Sequence, residues 1–191
     1  NSIPGSVKER APEALQRYLK VSTLNLRDTN LSPDFITSMD AFNELYNQAG
    51  QAVDVDGIIA LDTDVLVKTI KILDDQVTAG GVTFTTEEDS RCDCPQVIYE
   101  LENNISRPVD YVRTDRKSLI GDLLNAILVK ALSSSPKIYW GPLFQTLITE
   151  THEKHILFYL YDEDAQKGMY ALNAAGKIKN FEGDYLHINE S

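Results

Sequence analysis

No apolar run in this 191-residue chain approaches the roughly 20 residues that a helix needs to cross a bilayer. The opening NSIPGSVKER also lacks the apolar stretch of a secretory signal. Basic residues are few, 18 Lys and Arg against 29 Asp and Glu, for a formal net charge of −11. General nucleic-acid binding requires a concentrated basic surface, and adhesion to anionic lipid requires a polybasic face. Neither is expected here, although a few well-placed arginines could still hold one anionic ligand. The two cysteines, Cys92 and Cys94 in RCDCP, are too few for a disulfide framework. A local bridge and a pair of free thiols both remain open. Gly-x-Ser-x-Gly, Walker and Rossmann glycine patterns are missing, as are internal repeats and low-complexity tracts.

What is present reads as alternating strands and helices. APEALQRYLK has helical spacing, with Pro12 near its start and Leu15, Tyr18 and Leu19 on one face. VSTLNL has the length of a strand and ends in the polar cluster RDTN. A helix is predicted next, with Ser32 as its N-cap, Pro33 at the first helical position and Asp34 in the first turn. Its apolar stripe runs from Phe35 through Met39, Phe42 and Leu45 to Ala49. GIIALDT has the continuous apolar character of a strand buried on both faces. TDVLVKTIKIL follows as a helix capped by Thr63 or Asp64, with Val65, Leu66, Ile70 and Leu73 inward. GGVTFTTEEDS suggests a hairpin arm or edge strand, and CPQVIYELENN a helix. TDRKSLIGDLLNAILVKALSS is a long amphipathic helix capped by Thr114 or Asp115. KIYWGPLFQTLITETHEKH continues as helix, bent near Gly141-Pro142. HILFYLYD, DEDAQKGMYALNAAG and DYLHINES complete the chain as buried strand, helix and final strand. The pattern predicts a single α/β domain over 1–191, with helices on both faces of a mixed, largely parallel central sheet.

Several stretches bear on chemistry. VDVDGII contains the Asp-x-Asp-Gly of haloacid-type phosphatases, but its strand follows the motif instead of preceding it. The same stretch lacks the glycine and glutamate placement of an EF-hand. THEKH places His152 and His155 on one face of a helix, where they could chelate a metal together with Cys92 and Cys94. Exposed histidines at a helix C-terminus are the commoner explanation. In LRDTNLSPDF, a strand end passes straight into a helix N-terminus, a ligand-binding position in α/β proteins. Arg27 could grip phosphate oxygens there and Asp28 a divalent cation. The alternative is an Arg-Asp pair that fixes the loop. A second basic group, Arg113, Arg116 and Lys117, surrounds the start of the long helix, where it opposes the helix dipole. Either an anion or the neighbouring Asp110 and Asp115 would offset it.

LRDTNLSPDF, VDGIIALD, SRPVDYVRTDRK, the Asp-x-x-x-Gln of DEDAQKG and GDYL occur in this order. Together they resemble the bacterial envelope family known as domain of unknown function 4012, from about residue 12 to residue 188. That family is in turn similar, more distantly, to the LytR-CpsA-Psr phosphotransferases, which move glycopolymers from a polyprenyl-pyrophosphate carrier onto peptidoglycan. The resemblance implies a three-layer α/β/α fold and an extracytoplasmic place in the cell envelope. It also implies an upstream segment carrying a membrane anchor in the full-length protein. By position, Arg27, Asp28 and Arg116 correspond to the catalytic set, with Asp28 as the ligand of Mg2+. Arg113, Lys117, Asn30 and Asp34 would complete the ligand site. The implied partner is a polyprenyl-pyrophosphate glycan, with IYWGPLFQTLI helping to line a groove for the prenyl chain. A non-catalytic envelope module that binds wall polymer or a protein is the competing expectation, favoured by the acidic surface and thin basic set.

Overall fold

The computed structural model describes residues 9–49, 52–106, 118–179 and 182–183. It divides into two compact units, one formed by Asn1–Ala60 with Leu157–Ser191 and the other by Leu61–Ile156.

In the first unit, α1 (Glu13–Tyr18) is followed by a 3-10 turn at Leu26–Asp28 and by α2 (Phe35–Asn47). The chain leaves the unit along β1 (Gly57–Leu61) and returns along β6 (Ile156–Leu160), before α7 (Glu163–Ala171). β1 and β6 pair with each other, and their flanking bonds run antiparallel: Tyr161 N–H donates to Asp56 O at 3.0 Å, and Asp62 N–H to His155 O at 3.2 Å. The Tyr159 and Tyr161 hydroxyls tie β6 to α2 through Asp40 and Asn43, each at 2.6 Å. Phe35, Met39, Leu45, Ala174 and Ala175 are buried. Gly176 adopts φ +59°, and its carbonyl accepts the Phe35 N–H at 3.1 Å.

The second unit contains α3 (Thr63–Ile72), β2 (Gln76–Ala79), β3 (Val82–Thr85), β4 (Glu88–Asp89), β5 (Cys94–Pro95), α4 (Gln96–Ser106), α5 (Ser118–Ser133) and α6 (Pro136–His152). β2 and β3 form an antiparallel hairpin with Ala79 opposite Val82. Its two-residue turn, Gly80-Gly81, has φ of +56° and +78°, a conformation that glycine adopts without steric cost. α5 lies against β2, α4 against β3 and α3 against α6. The core is Ile70, Leu73, Val77, Ala79, Phe84, Val97, Leu101, Leu123 and Ile127, in which Ile70 and Leu73 of the inward set expected of α3 join residues distant in sequence.

β4 and β5 are closed by a Cys92–Cys94 disulfide. Within that loop Arg91 holds Asp89 at 2.5 Å and lies over the Tyr99 ring, 3.7 Å from its centroid. The Arg91 side-chain hydrogen bond, followed by its backbone N–H, brings Asp89 from 3.8 down to about 2. An NMR titration is expected to find the Asp89 midpoint near 2 in the intact chain and higher in Arg91→Ala, which loses the side-chain contact but keeps the backbone N–H. Because the folded value is the lower one, the pair's contribution is present above pH 3.8 and is lost as pH falls through about 2. A midpoint unchanged by Arg91→Ala would remove the ion pair as its cause.

Several expectations are corrected. Each of the three sheets has only two strands, and no parallel pairing occurs among the described residues. Among the described residues the fold is mixed α/β without a large parallel central sheet. VSTLNL is not a strand: it makes a single antiparallel bridge, Thr23 with Arg10, before turning into the 3-10 segment. Polar side chains redirect its backbone, since Asn25 Nδ2 donates to Thr23 O at 3.2 Å and to Asp28 at 2.8 Å. Among the described residues GIIAL is a strand with one neighbour, not one buried on both faces, and Ile59 and Leu61 are more than half exposed. The N-cap of α2 is Asp34, not Ser32; its carboxylate accepts Thr37 N–H at 3.0 Å while Pro33 stays outside the helix. α3 is likewise capped by Asp62, whose carboxylate reaches the N–H groups of Asp64 and Val65. α6 runs unbroken through Pro142 and ends at His152, so His155 is not on it. The disulfide removes both thiols from a metal site with the histidines. The expected cap at Thr114 or Asp115 and the final strand DYLHINES lie outside the described residues.

Candidate functional site

Asn25 to Asp34 is shaped by its own side chains. Asn25 and Asp28 close a reciprocal cap around the 3-10 turn, with Asp28 Oδ2 accepting Asn25 N–H at 3.0 Å and Asn25 Nδ2 at 2.8 Å. Its other oxygen lies 3.4 Å from Arg27 Nε. Burial pushes the Asp28 carboxyl up, but the Asn25 hydrogen bonds and the Arg27 charge outweigh it, and the net shift is downward. The Arg27 side chain is 78% exposed. Asn30 is exposed in the following turn. Asp34 divides its carboxylate between Thr37 N–H and, at 2.8 Å, Ile178 N–H. Burial raises the Asp34 carboxyl and these backbone donors lower it, again with a net downward shift. The expected site residues of this stretch therefore share one segment, but the two carboxylates are turned to different backbone partners. Arg113, Arg116 and Lys117 lie outside the described residues. A hollow of about 390 Å³ in the same unit is lined by Tyr170, Asn173, Ala175, Lys177, Ile178 and Lys179, none of them an expected site residue.

In the second unit, α5 and α6 are apolar on two sides. Leu119, Leu123 and Ile127 pack into the core, as do Tyr139 and Leu143 of α6. On α5, Ile120, Leu124, Leu128 and Leu132 recur every four residues, and all are exposed. On α6, Ile138, Trp140, Phe144, Leu147 and Ile148 are exposed, with Trp140 and Phe144 in edge contact at 5.9 Å. The IYWGPLFQTLI stretch is thus split: Tyr139 and Leu143 belong to the core, while Trp140 and Phe144 face outward.

A polar cluster occupies the start of α3 and the end of α6. Glu150 is 1% exposed, and its Oε1 accepts Lys68 Nζ at 2.7 Å. Lys68 also reaches Asp64, one helical turn before it, at 2.6 Å. Both contacts, that to Asp64 first, raise the Lys68 ammonium above its ordinary value. Asp64 is shifted below the ordinary carboxylate range, chiefly by Lys68. His155 Nδ1 is hydrogen-bonded to Asp62 Oδ2, which raises the imidazole above its usual value. Its Nε2 lies 3.8 Å from Asp64 and 4.0 Å from Glu153.

The sequence offered His155 as a metal ligand only beside the commoner explanation of an exposed histidine, and it did not connect that residue with Asp62, Asp64, Lys68 or Glu150. Glu150 gave little local signal, since it is the buried residue of a helix whose adjacent positions are exposed or half-buried, and a buried carboxylate requires a partner. The partner itself is 82 residues away. In comparison with known proteins, no curated protein and no solved structure matches the chain. Residues 2–91 match the model of a family described as a protein of unknown function, DUF4012.

Proposed function

We propose that this chain is an extracytoplasmic module of the cell envelope that binds a protein partner through the outer faces of α5 and α6, without transferase chemistry at Arg27-Asp28. The observation carrying the reading is the exposed row Ile120, Leu124, Leu128 and Leu132 on α5, together with the exposed Trp140 and Phe144 on α6. Helices apolar on all sides are ordinarily covered, and contiguous exposed apolar surface marks interaction sites. Aliphatic side chains offer no hydrogen bonds to a polysaccharide, whereas Trp, Phe and Leu suit the core of a protein interface. The Cys92–Cys94 disulfide supports an oxidising compartment, in line with the envelope location that the family resemblance implies.

The transferase reading is the second one, supported by that resemblance and by the solvent-facing Arg27. It implies Mg2+ at Asp28. The donor set does not suit the ion: one Asp28 oxygen carries two Asn25 donors and the other faces the Arg27 guanidinium, whose charge opposes a cation.

The test joins two measurements. A short-chain polyprenyl pyrophosphate is titrated into the chain and into Arg27→Ala, with and without Mg2+. A photo-crosslinking residue is then placed at Leu128 or, as control, at Glu88. The expected results are no saturable Mg2+-dependent binding and a discrete protein adduct from position 128, absent from position 88 and abolished by Phe144→Asp. Metal-dependent binding lost in Arg27→Ala would establish the transferase reading instead. Equal adducts from both positions would remove the docking face.

A further inference from the structure

We propose that Asp64, Glu150 and His155 form a binding site for a divalent transition-metal ion of the zinc class, with Asp62 orienting the histidine. One ligand atom from each of the three lies within 4.8 Å of those from the other two. The site is contributed by the first turn of α3, the last turn of α6 and the residue just before β6.

Two observations beyond the clustering point to a cation. The first is the orphaned oxygen of Glu150. This side chain is 1% exposed, its Oε1 is taken by Lys68, and its Oε2 has no hydrogen-bond partner among the described residues. A buried carboxylate oxygen without a donor is costly, and a metal ion in the cluster would satisfy it while leaving the Lys68 contact in place. The second is the histidine. Its Nδ1 is held by the Asp62 carboxylate, so in the neutral ring Nδ1 carries the proton and Nε2 presents its lone pair. Carboxylate–histidine pairing of this kind is the usual support of a metal-bound imidazole. Nε2 lies 3.8 Å from Asp64 Oδ2. Two ligand atoms on one tetrahedral zinc are separated by about 3.3 Å, given bonds of roughly 2.0–2.1 Å. A movement of about half an ångström closes that difference.

The charge balance agrees. Asp62, Asp64, Glu150 and Glu153 surround the histidine, and Lys68 is the lysine bridging two of them. With a neutral imidazole, four carboxylates and one ammonium leave three negative charges, which a divalent ion reduces to one. Imidazole with two carboxylates favours Zn2+ or a similar first-row ion over Mg2+. The side chains of Asp64 and His155 are 42% and 34% exposed, so three protein ligands leave a coordination position open toward solvent for water or a ligand oxygen. This site is separate from the docking reading above and stands without it.

Isothermal titration of the intact chain with ZnCl2, with MgCl2 as control, tests the proposal. The expected result is one Zn2+ per chain, bound at least tenfold more weakly by Asp64→Asn and by His155→Gln. Asp62→Asn, which keeps every ligand, is expected to weaken binding by about tenfold through the lost orientation of the imidazole. His152→Gln, outside the cluster, should bind as the unaltered chain does. Glu150→Gln is read only after circular dichroism shows the fold retained; the exposed His155 carries the test if it is not. In addition, Co2+ replacing Zn2+ should give visible d–d absorption that disappears in His155→Gln. Absence of stoichiometric Zn2+ binding, or equal binding by His155→Gln and Asp64→Asn, would overturn the proposal and leave Lys68 as the cluster's own cation.

Discussion

Phe84→Ala is expected to remove about 3–5 kcal/mol of stability from the second unit. Phe84 is 0% exposed and lies in the core with Ile70, Leu73 and Val97. The hairpin that presents it is held at one end by the Gly80-Gly81 turn and covered by α4 and α5, so the cavity has little freedom to collapse. Such a loss is a large fraction of the roughly 5–15 kcal/mol that keeps a domain folded. The chain has one tryptophan, Trp140 on α6 of the same unit, which makes its fluorescence a local reporter. Urea unfolding followed at Trp140 should show a lower midpoint with an unchanged slope. A loss below about 1 kcal/mol would mean that the hairpin does not pack as described.

Gly176→Ala should destabilise the first unit by about 2–4 kcal/mol, combining a left-handed residue with overpacking. At φ +59°, an added Cβ would lie 2.8 Å from the Cβ of Phe35 and 3.0 Å from Leu157 Cδ1. Phe35 is the first residue of α2, and its N–H donates to Gly176 O. Two residues on, Ile178 N–H reaches the capping carboxylate of Asp34. The substitution thus presses on the joint that starts α2. Hydrogen exchange is expected to accelerate across α2, beginning in its first turn. Unchanged protection there would separate Gly176 from the cap and show that Asp34 alone sets the helix start.

The same joint takes in the end of the LRDTNLSPDF motif, at Asp34 and Phe35. Its carboxylates have the composition of a phosphate and metal site, but both are used to end one turn and begin one helix. Local sequence left the choice between structure and chemistry open because an Asp beside an Arg looks identical in either role. The hydrogen bonds that Asp28 accepts from Asn25 and Asp34 from Ile178 depend on how those residues meet the motif.

By itself, the sequence determined local elements: α2 and α3 from apolar spacing, a hairpin arm or edge strand at GGVTFTT, and the inward row Val65, Ile70 and Leu73. Those features depend on neighbours within a few residues, where period and turn chemistry decide. Only the tertiary structure decided which strands pair and whether an apolar residue is covered. HILFYLYD and GIIALDT read as members of a parallel sheet, yet they are each other's antiparallel partner across nearly a hundred residues. The exposed side of α5 and the meeting of Asp64, Glu150 and His155 were equally hidden. An apolar stripe or a lone histidine has the same sequence whether or not another segment lies against it, and contact across the fold is a property of the whole chain.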